Sequence, residues 1–502
     1  MEYNFNQIKI EMSEGISSIT PNASMLFTAK FFEQSGLSKV IDASIGARKN
    51  KGASDSKHIM AMVMSQICGG DAIEHQKYLP SRVGILGIGV PSVSASRSYM
   101  KVFHNSEEDN KRGMGKSFVP KSNERLSGFE NIHGHLFQTA YSLAPLEEIT
   151  LDQDATLIPT SRPDTCFNYK GERSYQAFNT YCKEYDLMLG TRYSDGNVTA
   201  GFEQLEELKR MLSLLPEGVK KVKLRSDSAG YQIDLLKYCA HGSNDRFGVI
   251  DFAISCDIVS EFKESASMVA ESDWHPLRID EYDQSRLEWA ELSYAPYSLS
   301  SSKKDPEIRF FAIREAFRQP RAAKKKTKDV PGQTELGFEI TDNEIAEMES
   351  GCEGLKKLHL TLMSNNKIYK LFGIASNIMD QPGDEIIFWH RKRCGKSEQA
   401  HDIVKNDFGG SHVPSHLFGV NAAWWNIAVL AMNVCNVIKR FFLPRGYEKY
   451  RMKTLRYVFF TLVGKVVTHA RRKILKLYSG DAGANLLMYA LNKLEGAMPC
   501  LT

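Results

Sequence analysis

The chain has 502 residues, of which 42% are hydrophobic and 25% are charged. These proportions are typical of globular proteins and exclude a wholly disordered, collagen-like or low-complexity chain. The formal net charge of +4 at pH 7 is too small to identify a binding partner. At about 100–200 residues per domain, the length predicts about two to four domains.

The cysteines and the apolar segments indicate a cellular compartment. Nine cysteines are irregularly spaced and form no Cys-x-x-Cys pair, which favours a reducing compartment over a disulfide framework or a zinc module. The N-terminal residues do not resemble a signal peptide. The most apolar stretch, 422–437, is interrupted by three asparagines and is shorter than the roughly 20 apolar residues of a membrane-spanning helix. These features predict a soluble, cytoplasmic protein with no membrane segment.

Residues 1–145 predict a mainly helical region. Apolar residues recur at helical spacing in 25–34 and 56–68. Residues 105–127 are polar and charged, which is typical of an exposed connector. The string 85–90 lacks the third glycine of a phosphate-binding loop, so we interpret it as an ordinary loop.

A mixed order of strands and helices begins near residue 148. The predicted elements are strands at 149–158, 174–185 and 186–193, a helix at 201–215, a strand at 219–225, a helix at 231–240 and a strand at 247–255. Three strands followed by alternating helices and strands indicate an α/β fold with a mixed sheet.

A β-rich segment follows, and long helices return from residue 395 onward. The β-like pieces are 287–294, 308–314, 358–363 and 368–374. The polar stretch 318–328 contains six basic and no acidic residues, and we interpret it as a mobile loop. The sequence thus predicts four segments, 1–145, 146–256, 257–372 and 373–502.

Two acidic residues stand out in the predicted strands. Asp154 lies inside the first strand, two residues from Asp152, so both side chains point to one face. A carboxylate is costly to bury in an apolar strand unless it is paired or binds a cation. Asp227 follows a strand with four Lys and Arg residues and precedes Ser-Ala-Gly, at the kind of strand end where α/β proteins bind ligands.

A third acidic residue, Glu398, opens a predicted helix. Glu398, His401, Asp402 and Lys405 follow the spacing i, i+3, i+4, i+7 and are expected to share a face. Two carboxylates from strands and one from a helix can hold two Mg²⁺ ions about 3.5–4 Å apart. Such a pair stabilises the attacking and leaving oxygens of an in-line phosphoryl transfer.

Each of these residues also has a simpler interpretation. Asp227 can cap the helical region that follows it. Asp152 can take the place of Asp154 as the functional carboxylate. Glu398 and Lys405 can form a solvated pair on a helix, a contact that contributes only a few tenths of a kcal/mol.

Several short strings in the chain resemble a known family. They are Leu151-Asp-Gln-Asp-Ala-Thr-Leu157, Tyr169-Lys-Gly171, Asp195-Gly-Asn197, Arg225-Ser-Asp-Ser-Ala-Gly-Tyr231, and Trp389-His-Arg391 through Cys394-Gly-Lys-Ser-Glu-Gln-Ala-His401. Their order and spacing are similar to DDE transposases of bacterial insertion sequences, in particular the group with a β-rich insertion between the second Asp and the Glu. The resemblance covers roughly residues 20–480.

The resemblance implies an α/β fold with a ribonuclease-H-like mixed-sheet core. A β-rich insertion interrupts this core, with an N-terminal helical DNA-binding region before it and C-terminal helices after it. It implies that Asp154, Asp227 and Glu398 form the catalytic triad and bind two Mg²⁺ ions, for which Mn²⁺ can substitute. It also implies cleavage and joining of DNA strands by cut-and-paste. The implied partners are double-stranded DNA, namely terminal inverted repeats and target DNA, and a second copy in a homodimer.

The chain departs from the wider class at one point. That class often has an Arg four residues before the Glu and a Lys seven residues after it. Lys405 has the expected spacing from Glu398, but position 394 is Cys and the nearest arginine, Arg393, lies five residues before the Glu. Lys405 is therefore the stronger candidate for a phosphate contact.

Basic residues cluster near the C-terminal end of the resemblance. Residues 436–476 contain twelve Lys and Arg residues and one acid, Glu448, with aromatic residues between them. This pattern predicts salt-dependent phosphate contacts, although a solvated helical face with aromatics in the core explains it too. Trp389 either stacks on an extruded base or packs in the core. The predicted DNA-binding residues are Lys405, Arg391, Arg393, Lys396, Trp389, Arg471 and Arg472.

Recognition of the element ends is expected in 1–145, where a helix can enter a major groove. Two other functions stay open. One is a catalytically inactive DNA-binding relative, against which the intact triad argues. The other is a different nuclease with a ribonuclease-H-like fold, such as a resolvase, against which the long β-rich segment and the basic C-terminal region argue.

Overall fold

A computed structural model describes most of the chain. The described residues are 18–47, 52–112, 119–278, 286–300, 305–316, 361–364, 367–393, 395, 397–470 and 472–501. They divide between two compact units: the first unit is Met1–Lys221 with Cys394–Thr502, and the second unit is Val222–Arg393. Neither boundary coincides with a boundary of the four predicted segments, whose division stays a prediction.

The main elements are numbered in chain order. The strands are β1 (Ile19–Thr20), β2 (Glu148–Pro159), β3 (Ser174–Cys182), β4 (Leu187–Asp195), β5 (Lys221–Ser226), β6 (Asp251–Ser255), β7 (His275–Pro276), β8 (Leu287–Leu292), β9 (Arg309–Ala316), β10 (Thr361–Ser364), β11 (Lys367–Ser376), β12 (Gly464–His469) and β13 (Arg472–Leu477). The helices named below are α1 (Met25–Gln34), α2 (Leu37–Ile45), α3 (Asp55–Ile67), α4 (Val93–Met100), α5 (Glu124–Leu143), α6 (Gln204–Ser213), α7 (Ile233–Ala240), α8 (Ser260–Ser267), α9 (Gly383–Arg391), α10 (Ser397–Asp402), α11 (Phe418–Val437) and α12 (Ala482–Leu501).

The helices α1–α5 confirm the predicted helical region within the first unit. α1 buries Met25, Phe27, Phe31 and Phe32 on one side, which is the amphipathic pattern of the sequence. Three of these helices have side-chain caps that fix where they begin, and Ser92 caps α4 by accepting a hydrogen bond from the Ala95 amide at 3.2 Å. Ser54 accepts a hydrogen bond at the start of α3, and the Asn123 side chain accepts from the Leu126 amide at 2.9 Å at the start of α5. The string 85–90 was predicted as a loop; the structure has a short helical turn at Gly84–Leu86 and a loop after it.

α11 is the central helix of the first unit, and all of its residues are buried. It continues as a π-helix, and the whole helix from Phe418 to Phe442 has the length and apolarity to span a membrane, although its most apolar window is wholly buried inside the protein. Two of the three asparagines that interrupt its apolar run bind the start of the edge strand β4 and the residue before it. The Asn433 side chain exchanges hydrogen bonds with Met188 at 2.8 and 3.0 Å, and Asn436 donates to the Asp186 carbonyl at 2.7 Å. The N–H and C=O groups of Met188 on the open edge of β4 are thereby satisfied.

Two sets of strands belong to the first unit. β2, β3 and β4 form an antiparallel meander whose bounds follow the predicted strands closely. β1, β12 and β13 form a small antiparallel sheet. The prediction of helices throughout 395–502 is therefore wrong for 464–477. The β-branched residues Val466, Val467, Thr468 and Ile474 favour strands, and the high charge of the segment concealed their alternation.

The strands of the second unit form one mixed sheet in the order β5-β6-β11-β9-β8-β7, with β10 beside β11. β5 and β6 are parallel, with α7 between them in sequence, and the other pairings are antiparallel. Because β11 pairs with both β6 and β9, strands of the predicted β-rich insertion and a strand of the predicted core share one sheet. The basic stretch 318–328 lies outside the described residues.

The core of the second unit lies between its sheet and α9. Strand residues from β6, β9 and β11 pack with the apolar side of α9. The buried members of this core are Ala253, Leu277, Phe311, Ile313, Ile374, Ile378, Ile386 and Ile387. The chain as a whole is a mixed α/β protein, as predicted.

Candidate active site

The three predicted metal-binding carboxylates are distributed over both units. Asp154 lies on β2 and Glu398 on α10, in the first unit, whereas Asp227 follows β5 in the second unit. Over the described part of the chain, no group of three or more His, Cys, Asp or Glu side chains could hold a metal ion. The two Mg²⁺ ions therefore stay a prediction, and the surroundings of each carboxylate are described unit by unit.

Asp154 occupies the middle of β2, opposite Asn179 of β3. Asp152, two residues earlier on the same face, lies opposite Tyr181 and is fully buried, whereas Asp154 is half-buried. A ligand from solvent reaches an exposed carboxylate more easily than a buried one. Of the two alternatives in the sequence, Asp154 is thus the more accessible carboxylate.

The start of α10 contacts Asp154 directly. The Ser397 hydroxyl donates a long hydrogen bond to Oδ2 of Asp154, at 3.5 Å. Ser397 is buried, and the next residue, Glu398, is exposed in the first turn of the helix. Two of the three predicted carboxylates therefore belong to segments that touch each other.

Lys405 lies in the π-helical segment Ile403–Asp407 that continues α10. Burial lowers the pKa of its amine, while the nearby carboxylates of Asp402 and Asp154 act in the opposite direction. The predicted phosphate contact is therefore a half-buried cation close to the carboxylate of β2. Such a cation can hold a phosphate oxygen beside Asp154.

The predicted single face of α10 is wrong. His401 is buried, with 5% of its surface exposed, whereas Glu398 is exposed. The change from α-helical to π-helical geometry after Asp402 also alters the angle between successive residues. Lys405 lies near Asp154 because of this local geometry and not because of simple i+7 spacing.

A second cation near this site was not predicted. Burial is the main reason that the pKa of Lys405 is lowered, and the charge of Lys170 acts in the same direction. Lys170 is exposed on a tight turn in which its amide donates to Oδ1 of Asn168 at 2.8 Å, and Gly171 has a φ of 77°. The sequence contained a signal, because Lys170 lies in the string Tyr169-Lys-Gly171 that carries part of the resemblance.

Arg451 fixes the π-helical segment from outside. Its guanidinium forms ion pairs with Asp402, and with Oδ2 of Asp407 at 2.9 Å. Hydrogen bonds from Arg451 and Asn406 lower the pKa of Asp402 although burial acts against them. Arg451 belongs to the basic segment 436–476, so at least one of those cations has a structural role.

Asp227 caps a short helical turn in the second unit. It follows β5, and its Oδ1 accepts a hydrogen bond from the Ala229 amide at 3.1 Å at the start of Ser228–Gly230. The simpler interpretation of Asp227 as a cap is therefore confirmed. A carboxylate has two oxygens and several acceptor positions, so a cap leaves room for a second ligand.

Buried polar residues anchor α9 behind Asp227. Arg225 is fully buried, and its Nη1 donates to the Trp389 carbonyl at 2.6 Å. Burial, with the charge of Arg393, lowers the pKa of His390 to about 3, so its ring is neutral at pH 7. Its Nε2 lies 3.0 Å from the Ser226 carbonyl and donates to it. The end of β5 is thereby fixed against α9.

The predicted DNA-binding residues differ in exposure. Arg391 and Arg472 are exposed, whereas Arg393 is buried with 8% of its surface exposed and offers little surface to DNA. Trp389 is half-buried and packs against the core of the second unit, with the Arg225 guanidinium 5.4 Å from its ring centroid. Lys396 and Arg471 lie outside the described residues.

A large cleft in the second unit lies beside Trp389. Its volume is about 770 Å³. Apolar side chains and cations line it together, with one acid: Leu277, Leu287, Ile378, Phe388, Trp389, Lys223, Arg391, Lys392, Gln381 and Glu385. The cleft combines aromatic surface with positive charge, a combination that suits nucleotides.

The string Asp195-Gly-Asn197 has a structural explanation. Asp195 accepts two hydrogen bonds from Arg112, at 2.9 and 2.6 Å. Burial raises the pKa of Asp195 in spite of this pairing. The two-point pair ties β4 to the connector that precedes α5.

No family model and no curated protein matches the chain. Among solved structures, the chain is similar to a piggyBac transposase in a synaptic complex with hairpin DNA, determined by cryo-EM. The identity is 10%, the TM-score is 0.38, and the alignment covers 96% of this chain and 85% of that one. A likeness of this degree leaves the function of the chain to be argued from its own residues.

Proposed function

We propose that the chain is a DDE-type DNA transposase of a bacterial insertion sequence, with Asp154, Asp227 and Glu398 as the catalytic carboxylates. The observation that carries the proposal is the hydrogen bond between Ser397 and Asp154. It joins a strand carboxylate to the helix that presents Glu398, as the resemblance implies. The proposal includes action in the cytoplasm on double-stranded DNA.

The order of elements supports a ribonuclease-H-like core. Three antiparallel strands, β2–β4, precede α6 in the first unit, and the parallel strands β5 and β6, with α7 between them in sequence, follow in the second unit. Asp154 lies in the first of these strands and Asp227 at the end of the fourth.

The donor set fits the proposed ions. All three side chains offer carboxylate oxygens, which Mg²⁺ prefers and Mn²⁺ also accepts. Asp154 and Asp227 are half-buried and Glu398 is exposed, so each can exchange water for an ion. When bound, a pair of ions stabilises the charge on the attacking and leaving oxygens of a phosphoryl transfer.

The chain's own residues position the DNA strand for two successive displacements. In cleavage, a water oxygen bonds to the scissile phosphorus, the bond from phosphorus to the 3′ oxygen breaks, and the water's proton passes to solvent as the 3′ oxygen takes one up. In joining, the freed 3′-hydroxyl bonds to a phosphorus of target DNA and a second 3′ oxygen leaves. Lys405 and Lys170 hold phosphate oxygens near Asp154, and Ser397 orients its carboxylate.

The proposal is tested on the DNA that flanks the gene. The substrate is a plasmid with both flanking regions, a few hundred base pairs each, incubated with the purified full chain and with Mg²⁺, Mn²⁺, Ca²⁺ or EDTA. We expect breaks at both flanks with Mg²⁺ or Mn²⁺ only, and joining of the cut ends to a second plasmid. Sedimentation of the complex with two ends is expected to report a homodimer.

Matched variants separate the proposal from its alternatives. Glu398→Gln is expected to abolish cleavage but keep DNA binding, while Glu107→Gln, an exposed acid of the first unit, cuts like wild type. Binding without cleavage in every condition would identify an inactive relative. Cleavage of branched DNA without joining would identify a resolvase-like nuclease.

A further inference from the structure

The hairpin of β12 and β13 has one packed face and one open face. Residues two apart on a strand share a face. Gly464 and Val466 are buried and lie opposite Leu477 and Leu475. A Cβ atom at Gly464 would come within 2.7 Å of the Leu475 side chain, so this face is closely packed. The other face of the hairpin is directed to solvent.

The open face carries cations at both ends of the hairpin. Lys465 lies opposite Lys476, and His469 lies opposite Arg472. All four residues are exposed, and Val467 and Ile474 lie between the two pairs. The sequence contains no acid from 449 to 480. Within the described part of the chain, Lys465, Arg472 and Lys476 form no ion pair.

Two like charges directly opposite each other destabilise an antiparallel pair. Lys465 and Lys476 occupy such positions, with no carboxylate of the hairpin to compensate them. An arrangement that is unfavourable in the isolated protein becomes favourable when a polyanion covers it. The open face is therefore complementary to a ligand with closely spaced negative charges.

We propose that the open face of the β12–β13 hairpin lies across a groove of double-stranded DNA, with Lys465 and Lys476 on the phosphates of one strand and Arg472 on those of the other. The inference deepens the proposed transposase function and rests on it. It assigns to this face a binding of DNA that does not depend on the DNA sequence.

The dimensions of the hairpin support this arrangement. The two ends of this face are four positions apart along each strand, from Lys465 to His469 and from Arg472 to Lys476, a distance of about 13 Å at about 3.3 Å per residue. The major groove of B-form DNA is about 12 Å wide and admits a two-stranded β-ribbon. The deep, narrow major groove of an RNA duplex does not admit side chains in this way. Double-stranded DNA is therefore the partner that fits.

The decisive experiment compares salt dependence of binding. The full chain is titrated with a fluorescent 30-base-pair DNA duplex of arbitrary sequence between 50 and 300 mM salt. The variant is the triple substitution Lys465→Ser, Arg472→Ser, Lys476→Ser. Each phosphate contact contributes about 0.9 to the slope of log K against log salt concentration. We therefore expect the slope to become shallower by about 2.7, the sum for three contacts.

The controls remove the same charge elsewhere. The triple substitution Lys220→Ser, Arg246→Ser, Lys493→Ser removes three exposed cations that lie outside residues 1–145 and outside the predicted DNA-binding residues, and is expected to keep the wild-type slope. Lys473→Ser removes an exposed cation on the other face of the same hairpin, whose amine donates to the Ile85 carbonyl at 3.4 Å, and is expected to do the same. Lys465→Arg with Lys476→Arg is expected to retain binding.

The outcomes separate this inference from the proposed function. The melting temperature of the triple hairpin variant is expected not to fall, because repulsion is removed. An unchanged DNA slope with intact Mg²⁺-dependent cleavage overturns the hairpin contact and leaves the transposase proposal standing. If the triple hairpin variant bound the DNA duplex normally and lost binding only to an RNA duplex of the same length, the proposed contact between the hairpin and DNA would also be overturned. A wild-type chain that binds no DNA duplex overturns both proposals.

Discussion

Asp154 lies in the middle of a strand and Asp227 directly after one, and different forces hold the two carboxylates. Asp154 receives a hydrogen bond from Ser397, which is 243 residues away in sequence, and lies near the half-buried amine of Lys405. Asp227 accepts a bond from the amide two residues ahead of it and follows the fully buried Arg225. Tertiary contacts organise the first carboxylate, whereas local backbone organises the second. Substitutions at Asp154 and at Asp227 should therefore both reduce DNA cleavage but should differ in their effect on the free energy of unfolding.

The largest effect is expected on catalysis. Asp154→Asn and Asp227→Asn each remove one negative charge with little change of shape. Loss of a metal ligand costs several kcal/mol of transition-state stabilisation, so cleavage of the flanking-DNA plasmid should fall by about 10³-fold or more in both variants. The control Asp234→Asn changes an exposed acid of the second unit and should cut normally. Wild-type cleavage by either variant removes that residue from the triad.

The two cations beside these carboxylates should behave in opposite ways. Arg225→Met leaves the buried Trp389 carbonyl without its donor, which should lower the free energy of unfolding by about 2–3 kcal/mol. Burial lowers the pKa of Lys405, so Lys405→Met removes a cation that the fold disfavours and should leave the free energy of unfolding unchanged or higher.

Arg225→Met and Lys405→Met should also differ in DNA cleavage activity. Lys405→Met should reduce cleavage about 10–100-fold, the loss expected for a charged hydrogen bond to phosphate. Urea unfolding at pH 7.5 and cleavage rates at matched folded fractions measure the two effects. If Arg225→Met lost activity without losing stability, Arg225 would be a DNA contact and not an anchor.

Each unit also contains a buried histidine, and the two histidines make the stability of the units depend on pH. Burial lowers the pKa of His390 in the second unit to about 3 and of His133 in the first unit to about 4. Below pH 6.5 the unfolded chain binds protons at these rings and the folded chain does not, so stability is complete above pH 6.5 and is lost as pH falls. At pH 5 each buried ring should lower the free energy of unfolding by about 2 kcal/mol relative to neutral pH.

Substituting one histidine at a time shows which of the two units contributes to the pH dependence of stability. His390→Gln keeps a donor for the Ser226 carbonyl and should remove about 2 kcal/mol from the difference in unfolding free energy between pH 7.5 and pH 5. His133→Gln should do the same through the first unit. Identical pH dependence in both variants and wild type would mean that neither ring is neutral in the folded protein.

Local patterns in the sequence predicted most individual elements. The alternation at 149–158 predicted β2 to within one residue at each end, and the apolar spacing at 25–34 gave the bounds of α1. The hairpin of β12 and β13 was missed because its alternation places lysines and arginines, instead of neutral polar residues, on the open face. Charge composition indicated an exposed segment there, but it did not distinguish a helix from a strand.

Relations between distant residues could not be predicted in the same way. Spacing placed Lys405 on the face of Glu398, but the π-helical turn after Asp402 and its ion pairs with Arg451 decide where that amine lies. The pairing of β11 with β6 and β9 depends on which strand edge is available once the second unit has folded. The sequence of a single strand does not show with which of several available strand edges it will pair.

The smallest effect concerns the cap at Asp227, and it tests whether local backbone alone organises this carboxylate. Asn caps a helical turn about as well as Asp, whereas Ala does not cap, at a cost of about 1 kcal/mol. Asp227→Ala should therefore unfold at lower urea concentration than wild type, and Asp227→Asn should not, although both lose cleavage. Ser397→Ala gives the matching test for Asp154: loss of one long hydrogen bond should cost less than about 1 kcal/mol. If Asp227→Asn were as unstable as Asp227→Ala, the negative charge and not the cap would hold the end of β5, and the contrast between the two carboxylates would disappear.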